Sequence, residues 1–160
     1  METFEETIKT TIQKVKDDFM ANHTIPATLL VFQKDGEVAD INIQELSEMY
    51  RIPPGLVFEN FKPGLKKDEN VCAAMFITEA WFNVIDTKNM SEEEKEKLKE
   101  NAPRPSLTPD RKEMLLITAE SRDGLKKMYH FEIKRIDDMP YLMDEVVDEN
   151  VEGRCVGIFD

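Results

Sequence analysis

Apolar residues fall at Phe4, Ile8, Ile12, Val15 and Phe19, with Glu and Lys prominent between them. Steps of four, four, three and four residues put all five on one face of an α-helix, because side chains three and four apart lie above one another. The helix should stop near Asn22 and His23, since Pro26 has no N–H with which to continue it. The period then changes. Residues 27–34 and 37–43 are β-prone runs separated by Asp35-Gly36, a strong hairpin signal. A two-residue turn would pair Lys34 with Glu37, Phe32 with Ala39 and Leu30 with Ile41. Gln44 to Tyr50 reads as a short helix. Pro53-Pro54-Gly55 and Pro63-Gly64 bracket what reads as an irregular segment containing Leu56, Val57, Phe58 and Phe61, with Lys62, Lys66 and Lys67 as solvated loop charges.

Val71 to Phe82 is apolar at both odd and even positions, as expected of a central strand covered on both sides. Ser91-Glu-Glu-Glu94 is a capping box opening a helix, and Glu93 and Lys97 form an i,i+4 pair. Its near lack of apolar residues makes the region near 90–102 a solvated helical excursion. A Pro-punctuated loop, Pro103 to Asp110, leads to a strand from Lys112 to Glu120. Asp123-Gly124 then turns the chain into Leu125 to Ile136. A two-residue turn pairs Glu120 with Lys127, Leu116 with Phe131, Met114 with Ile133 and Glu113 with Lys134, and sets His130 opposite Ile117. A turn one residue longer would oppose Lys112 to Lys134, which favours the shorter one. Met139, Leu142, Met143 and Val146 have the spacing of a short helix, and Arg154 to Phe159 that of a final strand.

These elements make a single α+β domain over residues 1–160. Five or six mainly antiparallel strands accompany the N-terminal amphipathic helix and further short helices. At 160 residues the chain is long enough to bury a core without a disulfide or metal. Charge changes the picture more than size does. Lys and Arg number 21 against 33 Asp and Glu, a net charge of −12. A surface so acidic disfavours nucleic acid and anionic lipid as direct partners. The acidic C-terminal segment, 137–160, holds eight acids and Arg154 as its one base, or −7 of the total. No apolar run is long enough to span a membrane, and the acidic start (Met1-Glu-Thr-Phe-Glu-Glu6) is unlike a secretory or transit leader, so a cytoplasmic location is expected. Cys72 and Cys155, 83 positions apart, read as reduced, with Cys72 packed as a small hydrophobe.

The motifs of common chemistries are missing. The sequence contains no GxxxxGK[ST], GxGxxG, HExxH, GxSxG or EF-hand loop. With His23 and His130 as its only histidines, it offers no metal-ligand spacing, so neither metal nor cofactor is expected. One polar constellation stands out. Glu79 interrupts an apolar strand just before Ala80-Trp81, where an unpaired carboxylate would cost several kcal/mol or stay protonated. Asp110, Arg111 and Glu113 lie at the mouth of the next strand, and Arg111 has the fork to grip Glu79 or Asp110. As a structural clamp, Glu79 and Arg111 would pin the long loop to the sheet. As a site, Glu79, Asp110 and Glu113 would be catalytic candidates, with Trp81 and Arg111 binding.

Glu79-Ala80-Trp81 followed by Pro105-Ser106-Leu-Thr-Pro109-Asp110-Arg111-Lys-Glu113 resembles a set of small uncharacterised bacterial proteins. These carry an EAW strand and a PS-x-x-P-D-R-x-E loop. The resemblance covers roughly residues 1–136. It implies a bacterial or phage origin and no particular activity.

The sequence therefore points first to a non-catalytic cytosolic binding or regulatory protein. Several of its nine Met residues would form an adaptable contact surface, and its acidic end would imitate nucleic-acid charge or dock on a basic protein partner. The alternative is a small hydrolase-like enzyme built on the Glu79 and Arg111 cluster. Self-association through a sheet edge or the apolar segment Leu56 to Phe61 is a third expectation.

Overall fold

The computed structural model describes residues 2–82, 90–101, 112–149 and 156–160. Ten elements follow in order: α1 (Phe4–Asn22), β1 (Thr28–Gln33), β2 (Val38–Asn42), α2 (Ile43–Tyr50), α3 (Pro54–Lys67), β3 (Val71–Phe82), α4 (Glu92–Asn101), β4 (Lys112–Ser121), β5 (Lys126–Ile136) and β6 (Met139–Asp148). The six strands form one open sheet in the order β2-β1-β3-β4-β5-β6, with every pair antiparallel. This is the α+β architecture the hydrophobic pattern predicts, with β3 in the sheet interior.

The sheet carries a core on each face. Helix α1 lays Ile8, Ile12, Val15 and Phe19 on Met75 and Ile77 of β3, Leu115 and Ile117 of β4, and Phe131 and Ile133 of β5. On the opposite face α3 sets Val57, Phe58 and Leu65 against Leu29, Val31, Ala74 and Phe76, joined by Ile158 from the C-terminal segment. A capping box between Thr3 and Glu6 opens α1, and His23 closes it in the left-handed region. The capping box at Ser91 opens α4 as expected, and residues 91–94 are exposed.

Four local expectations are corrected. The segment around Leu56 to Phe61 is helix α3, with Pro54 in its first turn and Pro63 inside it. Pro63 forfeits one helical hydrogen bond, a cost of ~3 kcal/mol in an ordinary helix interior. Burial of Val57, Phe58 and Leu65 overrides it, and the Phe58 ring stacks on Phe76 with centroids 4.4 Å apart. Val57 and Phe58 are therefore core residues and offer no surface for self-association.

Both Asp-Gly hairpins are out by one residue from the expected pairing. Phe32 lies opposite Val38, and Leu116, not Ile117, lies opposite His130. In each loop only the glycine has a positive φ, 92° at Gly36 and 110° at Gly124, whereas a type I′ turn needs two such residues. The loops therefore hold three residues, Lys34 to Gly36 and Arg122 to Gly124, closed by Gln33 N–H to Glu37 O and Ser121 N–H to Leu125 O. Any repulsion between Lys112 and Lys134 is relieved by Glu132, which lies 3.9 Å from the first and 3.1 Å from the second.

Residues 139–146 form strand β6 rather than a helix. Asp137 and Asp138 both adopt left-handed backbone, φ 52° and 65°, making a two-residue turn that sets Ile136 opposite Met139. Two aspartates held there are strained relative to Asn-Gly. The double substitution Asp137→Asn with Asp138→Gly should raise stability by about 1 kcal/mol, read as a higher denaturant midpoint at unchanged slope. Finally, residues 156–159 form no strand; they lie as an irregular segment docked beside α3 and β4.

Candidate functional site

The ends of β3, β4 and β5 bring the residues singled out in the sequence into view. Register sets Trp81 opposite Glu113 and Glu79 opposite Leu115, so Glu79, Trp81 and Glu113 share the face that α1 covers elsewhere. Asp110 and Arg111 lie outside the described residues. Glu113 is gripped by Arg135 of β5, whose Nε and Nη2 donate to its two oxygens at 2.9 Å and 2.6 Å. This fork ties β4 to β5 and raises the pKa of Arg135, first through the Glu113 hydrogen bond. A carboxylate engaged on both oxygens is a tether rather than a free acid or base.

Trp81 is 44% exposed and borders a shallow, open depression of about 500 Å³ with Lys112, Glu113, Ile133, Lys134 and Arg135. Glu79 lines a different cleft, of about 360 Å³, with Thr24, Pro26, Gln44, Glu48 and Thr78. Its Oε1 accepts the Ile25 N–H at 3.0 Å. The carboxylate therefore has the partner its apolar strand demanded, and it pins the link between α1 and β1 to β3. The structure thus joins Trp81 to Glu113 and sets Glu79 in the neighbouring cleft. Among the described residues no group of three His, Cys, Asp or Glu side chains could hold a metal ion, and no helix is long and apolar enough to cross a membrane.

Three features escape the sequence reading. The first is Glu120, 3% exposed on β4. Its Oε1 accepts the N–H groups of Gly157 at 2.9 Å and Ile158 at 3.1 Å, while its Oε2 is buried without a hydrogen-bond partner among the described residues. Burial pushes its pKa up, against the lowering effect of the two N–H groups and Lys126. The second is Arg122, whose guanidinium donates to the carbonyls of Leu65, Lys66, Asp68 and Val71 and faces the Phe159 ring at 4.8 Å. Lys62 donates to Val156 O at 2.5 Å, Lys66 to Asp160 O, and Lys126 pairs with the Asp160 side chain at 2.9 Å. Of the three lysines expected to be solvated, Lys62 and Lys66 instead hold the C-terminal segment down, and Lys67 is exposed as expected.

The third feature is the margin formed by β6. Among the described residues it pairs with β5 alone, so they leave one edge of the sheet open there. Met139, Tyr141, Met143, Val146 and Val147 are each 40 to 48% exposed, and Ile136 before the turn is 60% exposed. Asp137, Asp138, Asp144, Glu145, Asp148 and Glu149 intersperse them, with no Lys or Arg between 136 and 149. On the inner side His130 Nε2 meets Asp148 Oδ2 at 3.0 Å, holding the end of β6 to β5. The chain matches no family model, no curated protein and no solved structure.

Proposed function

We propose that the chain is a cytoplasmic, non-catalytic binding protein whose β6 margin takes a basic protein partner. The observation that carries this reading is the run of exposed apolar side chains on β6 set among acids. Residues 136–149 hold no Lys or Arg, and among the described residues only Glu149 of those acids is paired with a lysine, Lys127 of β5. Met139, Tyr141 and Val146 share the face turned away from α1. Scattered surface apolar residues need no explanation, whereas several on one face cost free energy in water unless something covers them. Acids around such a patch select a cationic partner and speed its encounter. The hydrolase-like alternative draws less support, because Glu113 is held by Arg135 on both oxygens.

The test is titration with polylysine across a range of ionic strength, comparing two variants of equal charge. Neutralising Asp144, Glu145 and Asp148 together should weaken binding by about tenfold or more at low salt, the loss shrinking as salt screens the pairs. Neutralising Glu92, Glu93 and Glu94 of α4 should leave it nearly unchanged. Equal losses from both triples would mean that only net charge is read, and the proposal would fall.

A further inference from the structure

The margin of β6 has more structure than a charged patch. At ten residues it is twice as long as β2, the strand at the other edge. An edge strand directs half of its backbone N–H and C=O groups away from its neighbour, where they can template another strand. The pairing with β5 is interrupted: Phe131 lies opposite Glu145 but Ile133 opposite Leu142, so Met143 and Asp144 together face Glu132 alone. This bulge divides the outer edge into two short runs. The first, Met139 to Leu142, contains Pro140, which has no N–H to donate. The second, Glu145 to Asp148, keeps every donor. It reads acid, apolar, apolar, acid, and alternation gives each face of the sheet one acid and one valine.

A second copy of the chain is a poor occupant of that edge. Antiparallel self-pairing of the Glu145–Asp148 run would set Glu145 of each copy opposite Asp148 of the other, and like charges across strands are destabilising. The same charges suit a segment with cations where this run has acids. We infer that the outer edge of β6 at Glu145–Asp148 accepts one extended segment of pattern basic-apolar-apolar-basic as a seventh strand of the sheet. This inference rests on the binding role proposed above and adds its mode: main-chain hydrogen bonds supply affinity, and the two outer cations set the register.

The probe is a short acetylated and amidated peptide with Lys-Val-Val-Lys at its centre and threonines on either side, titrated by fluorescence anisotropy. Two N-methylated forms, blocked at alternate residues in opposite phases, test the backbone. An antiparallel strand shows only alternate N–H groups to one neighbour, so one form should lose about tenfold or more in affinity and the other should bind as the parent does. The paired substitution Glu145→Lys and Asp148→Lys should abolish binding of the lysine peptide and create binding of its Glu-Val-Val-Glu counterpart, a gain that misfolding cannot mimic. If both methylated forms bind alike, strand addition is wrong while the charge-driven role stands. If the peptide fails but polylysine still discriminates the β6 variant, the outcome is the same. If neither ligand binds at low ionic strength, both proposals fall.

Discussion

Arg122→Ala should destabilise the fold by about 3–4 kcal/mol, read from urea unfolding followed by far-ultraviolet circular dichroism. The guanidinium reaches four carbonyl oxygens, three near the C-terminal end of α3 and one at the start of β3. A helix end leaves such carbonyls without partners in its own hydrogen-bond ladder, and here one side chain satisfies several at once. Each charge-assisted bond contributes roughly 1.5–3 kcal/mol, but bonds sharing a donor group do not add fully. Alanine also removes the cation facing Phe159, which loosens the C-terminal segment. Arg122→Lys should recover less than half of the loss, because an ammonium has no planar fork to span carbonyls lying in different directions. Full recovery by lysine would mean that positive charge alone matters at this position.

Glu120→Ala should cost about 2–4 kcal/mol, because it strands the Gly157 and Ile158 N–H groups where water reaches them poorly. Glu120→Gln separates that role from charge. Its amide oxygen can accept the same two bonds while the desolvated carboxylate is gone, so at neutral pH it should match or exceed the parent in stability. The difference should depend on pH. Burial raises the folded-state pKa of Glu120 above its ordinary value of 4.5, so the folded protein holds this proton more firmly than the unfolded chain. The stabilising contribution is then fully present below 4.5 and is lost as pH rises through the raised folded value. The parent should therefore gain on the Gln variant as the solution is acidified from neutrality towards that value. Because all the other charges are common to both proteins, the difference isolates Glu120. A parent that weakens relative to Glu120→Gln on acidification would show that the two N–H groups outweigh burial.

Much of the architecture was legible because it rests on strong periodic signals. The face of α1, the two-sided apolar run of β3, both Asp-Gly turns and the capping box at Ser91 all rest on local geometry that tertiary context did not override. The misses share a cause: the local pattern was compatible with two backbones, and either a distant partner or a turn detail invisible in the pattern chose between them. Met139, Leu142, Met143 and Val146 suit one face of a helix, and equally a strand broken by a bulge between Leu142 and Glu145. Asp137-Asp138 is a weaker turn signal than Asp-Gly, so nothing nearby decided the matter. Pro63 argued against α3, and only the seating of Phe58 on Phe76 reversed it. The registers turned on whether one or two loop residues could take positive φ, and the repulsion expected between Lys112 and Lys134 argued against the three-residue loop until Glu132 was placed beside both.

At the site, the demand of Glu79 for a partner could be read from its apolar surroundings, but the Ile25 N–H that meets it lies 54 positions away. Glu113 was picked out, while its partner Arg135 was seen only as part of a β-hairpin. Glu120 gave a usable signal that was passed over. It closes a run, Met114 to Ala119, that is apolar except at Thr118, so a carboxylate there is carried inside with its strand.

The docking of residues 156–160 also has a consequence for how the protein meets proteases and chaperones. Val156 and Ile158 are each 2% exposed, and Ile158 belongs to the core beneath α3. The segment is short and irregular, as a trimmable tail would be, yet it is part of the core. Cleavage before Val156 would leave the Glu120 carboxylate without its two N–H donors and the Arg122 guanidinium without Phe159. It would also uncover apolar side chains of α3, the kind of surface that a chaperone holds and a protease attacks.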